Sequence, residues 1–158
     1  MKKILLTAIL FLSSVSMVSA DADGEFNGHH YYLVDGKGID WIEAYDICKE
    51  QGGHLATITS AAEQKFIESL LRQGKKNSYW LGGYQDDSGN WNWITDENFY
   101  YTNWNYGEPN NATGSEDCLM IYREISFGLW NDAAYNGESF GNPFFYTENF
   151  GFICEWDE

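Results

Sequence analysis

A chain of 158 residues with 9 basic and 24 acidic side chains carries a formal net charge of −15. That balance argues against nucleic acid as a partner, because phosphates need basic neutralisation. An aromatic share of 18% with only 2 prolines excludes a disordered chain.

The N-terminus reads as a targeting segment. Lys2 and Lys3 precede an apolar run from Ile4 to Leu12, broken only by Thr7, and Ser19-Ala20 forms a small-residue exit. This is the pattern of a secretory signal peptide over residues 1–20, with cleavage after Ala22 fitting as well. The run is shorter than the roughly 20 residues a membrane span needs, so a secreted or extracellular protein with no membrane span is expected. No repeat, low-complexity tract or linker divides residues 21–158, which are expected to form one domain.

Phe26 to Val34 reads as a first strand. Asp40 and Glu43 have capping-box spacing and open a helix. Trp41, Ala44, Tyr45 and Cys48 form its apolar stripe, and Gly52-Gly53 stops it. His54 to Ile58 is a short extended segment. Ser60 and Glu63 make a second capping box, followed by a stripe of Phe66, Ile67, Leu70 and Leu71, with Gly74 at the end. Tyr79 to Gly83 reads as a buried strand, and Trp91, Trp93 and Ile94 alternate as a half-buried one. From Asp96 to Asp117 the periodicity vanishes, and a loop that long in a compact domain is usually functional. Strands are predicted again over Cys118 to Ile125, Phe127 to Trp130 and Gly151 to Trp156, with Ala133 to Asn149 loop-like. The class is α+β, with one sheet and a loop-rich end.

Three polar clusters flank the last strands: Glu108-Pro109-Asn110, Glu116-Asp117 and Asn131-Asp132. Carboxylates and amide carbonyls are hard oxygen ligands that suit Ca²⁺, which takes six to eight of them. Magnesium would keep more water, and zinc lacks His or Cys in these clusters. His29, His30 and His54 have no ligand-like partners near them in sequence and read as structural or surface residues.

Taken together and in order, Cys48, Trp80-Leu81-Gly82, Glu108-Pro109-Asn110, Glu116-Asp117-Cys118, Trp130-Asn131-Asp132 and Phe152-Ile153-Cys154-Glu155 resemble the motifs of the C-type lectin domain. The resemblance covers roughly residues 28–157. It implies the C-type lectin-like fold, with two helices, small antiparallel sheets and a long loop region. It implies a calcium ion held by Glu108, Asn110, Glu116, Asn131 and Asp132, the last through side chain and carbonyl, with a cis bond before Pro109. The same five residues would bind sugar. Carboxylates accept a proton from each of two neighbouring hydroxyls, and Asn amides donate to the hydroxyl oxygens. In the family Glu-Pro-Asn goes with mannose-type sugars, including N-acetylglucosamine, glucose and fucose, and Gln-Pro-Asp with galactose. Partners would be glycans or glycoproteins. Tyr106 and Tyr135 are candidates for the rim or for packing.

Cys48 and Cys154 resemble the family's long disulfide. Cys118 resembles one half of a second bridge whose partner position holds Tyr135. It is then either a buried thiol or the means to an oligomer through an intermolecular bridge. An auxiliary calcium would need acidic residues near Gln85, Ser88, Asn111 and Asp117, and only Glu116 and Asp117 supply them. That site is expected absent or weak unless Asp86 and Asp87 substitute. Asn111-Ala112-Thr113 is a glycosylation sequon.

Two alternatives stand beside the lectin. One is a calcium-independent protein-ligand or adhesion module on the same fold. The other is a glycoside hydrolase using Glu108 and Glu116, disfavoured because nothing in the sequence places either in an apolar pocket. No enzyme is expected.

Overall fold

The computed structural model describes residues 20–137 and 147–157. The predicted signal peptide, apart from Ala20, and the middle of the 133–149 loop lie outside the described residues.

The predicted first strand is two. β1 (Ala22–Phe26) and β2 (His29–Val34) form a hairpin. Asn27 and Gly28 turn it with φ of 52° and 87°. A two-residue Asn-Gly turn matches the strand twist because both residues tolerate positive φ. α1 (Trp41–Glu50) has the complete Asp40–Glu43 capping box and buries Ala44 and Cys48. After β3 (His54–Leu55), α2 (Ala61–Leu71) begins at Ser60, whose side chain accepts from the Glu63 amide. The reciprocal half of this second box is missing. The Glu63 carboxylate instead accepts from the Thr59 amide at 2.8 Å and the Tyr31 hydroxyl at 2.6 Å.

The remaining strands are β4 (Ser78–Gln85), β5 (Trp91–Trp93), β6 (Cys118–Tyr122), β7 (Trp130–Ala133) and β8 (Phe150–Trp156), the last preceded by a 3-10 turn over Thr147–Asn149. Strand β7 starts where the sequence had a strand end, because residues 125–128 form the turn between β6 and β7. The strands join in one mixed sheet ordered β1-β2-β8-β4-β6-β7, with β3 on β8 and β5 on β4. Only β4 and β8 run parallel among these pairs. The fold is α+β with two helices and a long loop, as the sequence implies.

The sheet is covered on both faces. Ile67 and Leu71 of α2 pack with Leu33, Leu81 and Ile153, while Ala44 and Cys48 of α1 pack with Trp80, Phe150 and Phe152. Cys48 and Cys154 form the disulfide between α1 and β8.

The long loop is anchored on Trp130, which is fully buried. Trp93, Phe99, Tyr101 and Trp104 meet its ring edge-on, with centroids 5.7–6.1 Å away. Such edge-to-face pairs add to the area they bury. The Trp130 indole donates to Gln64 of α2 at 3.0 Å. The Trp130 backbone exchanges hydrogen bonds with Asn103 and Asn105, and the Glu108 amide then donates to the Asn105 carbonyl at 3.0 Å. Helix, sheet and loop are thus tied together at the residue immediately before the candidate ligand pair Asn131-Asp132 on β7.

Candidate calcium and sugar site

The five predicted residues converge from three segments. Asn131 and Asp132 sit on β7 and are buried, at 7% and 1% exposure. Glu116 is buried just before β6, Glu108 is half-buried and Asn110 is exposed on the loop. The peptide bond between Glu108 and Pro109 is cis.

Asp132 organises the loop. Its carboxylate accepts from the amides of Asn110 at 3.2 Å and Asn111 at 2.7 Å. Glu116 accepts from the Ala112 amide at 2.7 Å, and its own amide donates to the Asn111 side chain at 3.0 Å. The Asn131 amide donates to the Asp132 carbonyl at 2.5 Å, so both groups share one corner. Asn111 takes a left-handed φ of 46°, which Asn tolerates better than most residues.

The site gathers three carboxylates: Glu108, Glu116 and Asp132. Among the described residues, no Lys, Arg or His forms an ion pair with Glu108, Glu116 or Asp132. Burial, a hydrogen bond with Asp132 and the charges of Asp132 and Glu116 push the Glu108 carboxyl up to about 7. Burial and the Asp132 charge also raise Glu116. Burial first, then the same three carboxylates, raises the nearby Tyr122 phenol. Glu108 Oε2 is buried and has no hydrogen-bond partner. A buried carboxylate oxygen left open beside two further carboxylates and an amide fits a hard divalent cation. The sequence-predicted residues therefore fit Ca²⁺ chemically.

The auxiliary position differs. Asp86 caps the β4–β5 turn, accepting from the amides of Ser88 and Asn90 at 2.9 Å each and from the Asn92 side chain at 3.1 Å. Those bonds, from the Asn90 amide above all, outweigh the opposing effect of desolvation and keep its carboxyl below its ordinary range. Cys118 is buried between β4 and β7, and burial with the charges of Asp117 and Asp40 pushes its thiol up to about 12. A buried protonated thiol is a poor nucleophile for an intermolecular bridge. Tyr135 is half-exposed, and Tyr106 is fully exposed two residues before Glu108.

The family model for the lectin C-type domain matches residues 37–139. This chain belongs to the C-type lectin domain family. It is 30% identical over 129 residues to a perlucin-like protein of Mytilus galloprovincialis, covering 79% of this chain and 74% of that one. Among solved structures, the C-type carbohydrate-recognition domain of cow CD23, crystallised in the presence of a GlcNAc2Man3 oligosaccharide, is 30% identical with a TM-score of 0.68, over 89% of this chain and 96% of that one. A calcium-independent type II antifreeze protein, 22% identical, shares the fold with a TM-score of 0.68, over 89% and 95% of the two chains. C-type lectin domains bind carbohydrate or other ligands and are not enzymes. Among the described residues no helix is long and apolar enough to cross a membrane.

Proposed function

We propose that this C-type lectin domain is exported through residues 1–20 and binds mannose-type sugars in a calcium-dependent way. The observation that carries the reading is the convergence of Glu108, Glu116 and Asp132, three carboxylates with no ion-paired Lys, Arg or His among the described residues, with a buried Glu108 oxygen left unpartnered. The shared fold of the calcium-independent antifreeze protein means that the ligand set, not the fold, supports calcium.

Calcium would be held by Glu108, Asn110, Glu116, Asn131 and Asp132. When bound, the ion supplies a Lewis-acidic centre that accepts two neighbouring sugar hydroxyls. The chain does the rest. Asp132 fixes the loop through the amides of Asn110 and Asn111. The Glu108 and Glu116 carboxylates accept hydroxyl protons, and the Asn110 and Asn131 amides donate to hydroxyl oxygens. This acceptor–donor order, given by Glu-Pro-Asn, supports mannose, N-acetylglucosamine or fucose over galactose. Tyr106, fully exposed two residues before Glu108, is the side chain we assign to the sugar rim.

Calorimetric titration of mannose into the protein in calcium, and again in EDTA, tests this. Binding in calcium and none in EDTA is expected; equal binding in both would refute it.

A further inference from the structure

At the far end of β8, sheet register assembles a second set of ligands that are scattered in sequence. Beyond Leu55 and Cys154, β8 is flanked by β2 on one side and β3 on the other. Tyr31 of β2 and His54 of β3 both pair with Glu155. Side chains two residues apart on a strand share a face. His29 therefore lies on the face of Tyr31, and Asp157 on that of Glu155. His54 joins them from the third strand.

The distances follow. His29 Nδ1 is 2.8 Å from Glu155 Oε1 and 2.8 Å from Asp157 Oδ1. His54 Nε2 is 3.5 Å from the same Asp157 oxygen. The ligand atoms of His29, Glu155 and Asp157 all lie within 4.8 Å of one another. Despite this proximity, His29 Nδ1 and His54 Nε2 are both buried and make no aligned hydrogen bond.

We propose that His29, His54, Glu155 and Asp157 form a binding site for a borderline divalent ion of the Zn²⁺ class. Tetrahedral zinc with bonds of about 2.0–2.1 Å sets neighbouring ligand atoms roughly 3.3 Å apart, a spacing that lies between the 2.8 Å from His29 to either carboxylate and the 3.5 Å from His54 to Asp157. Imidazole nitrogen with carboxylate oxygen suits zinc and its neighbours, whereas the all-oxygen set around Asp132 suits calcium.

The surroundings orient the ligands as metal sites require. His54 Nδ1 sits 2.9 Å from the Leu55 carbonyl and donates to it in the tautomer that leaves Nε2 with a free lone pair. Glu155 is held by the Thr57 amide at 2.8 Å and hydroxyl at 3.1 Å, and by the Tyr31 hydroxyl at 3.1 Å. Glu155 is 1% exposed, so its charge needs a partner. His29, 2.8 Å away, is its nearest ion-pair partner. Burial lowers the His29 pKa, but the charges of Glu155 and Asp157 more than offset this and raise it overall. Zinc would supply the countercharge that Glu155 needs and clamp the β1–β2 hairpin, β3 and the end of β8 together.

The test is calorimetric titration of ZnCl₂ into the purified protein in excess calcium. Saturable binding is expected, weakened roughly 10-fold or more in His29→Gln and in His54→Gln and unchanged in His30→Gln. Mannose binding in calcium should not change in any of the three, which separates this site from the sugar site. Imidazole resonances in the unmodified protein give a readout independent of variant folding. Zinc should shift those of His29 and His54. Absence of zinc binding, or zinc shifts confined to other residues, would show that the cluster is only an imidazolium–carboxylate pair and overturn the proposal.

Discussion

Replacing Glu108 with Gln should stabilise the calcium-free protein while abolishing its response to calcium. The Glu108 carboxyl is raised from 4.5 to about 7 by burial, by Asp132 and by Glu116. At about 1.4 kcal/mol per pH unit this corresponds to at most about 3 kcal/mol, and solvent screening of a half-buried group reduces it to roughly 1–2 kcal/mol. The sign follows from linkage. Between 4.5 and about 7 the folded chain keeps a proton that the unfolded chain has lost, so stability falls as pH rises through that window. Gln carries no such charge. In EDTA at about pH 8, Glu108→Gln should melt higher than wild type by about 3–6 °C, and the difference should close as the pH falls. Calcium should raise the melting temperature of wild type, because it binds only the folded chain, and not that of the variant. Thermal unfolding followed by circular dichroism, in EDTA and in excess calcium, measures all of this. A variant that is less stable than wild type in EDTA at that pH would refute the claim that unneutralised carboxylates load this site.

Calcium affinity itself should fall as pH drops through about 7, because calcium needs ionised Glu108 and Glu116, whose pKa values both lie above the ordinary range; calorimetry giving equal affinity at about pH 8 and pH 5 would contradict it. The double substitution Glu108→Gln with Asn110→Asp should shift preference towards galactose, read as competition by the two free sugars. Trp130→Ala should cost about 3–5 kcal/mol in denaturant titration and weaken calcium binding, since the loop around Glu108 hangs on that ring and its backbone. Replacing Cys48 and Cys154 together by Ser opens a closure of 106 residues, worth about 4.7 kcal/mol in the chain-entropy model, and should lower the denaturation midpoint accordingly.

Local signals served well where local physics decides the structure. The Asp40 capping box, the stripe ending in Cys48 and the buried run around Trp80 all depend on neighbours in sequence, and each stands in the fold. The same reading passed over the Asn27-Gly28 turn, although its dipeptide is a strong hairpin signal, because the flanking aromatic run suggested one continuous strand. It placed β7 too early, since nothing local distinguishes the turn over residues 125–128 from an edge strand. It credited Glu63 with a capping bond, whereas the tertiary partner Tyr31 draws that carboxylate away. Around the candidate calcium site, the ordered motifs pointed to Glu108, Asn110, Glu116, Asn131 and Asp132, which the fold brings together. The His29–Glu155–Asp157 cluster was invisible because its members meet only through the pairing of β2, β8 and β3. Only the strand register joins a histidine near one end of the chain to a carboxylate near the other.

The central claim is that Glu108, Asn110, Glu116, Asn131 and Asp132 bind a mannose-type sugar with calcium. Passage of the purified protein over immobilised mannose and immobilised galactose, each in calcium and then in EDTA, tests it most directly. Retention on mannose with release by EDTA is the predicted result. A folded protein that passes through both resins in calcium, or that stays on mannose in EDTA, would contradict the account.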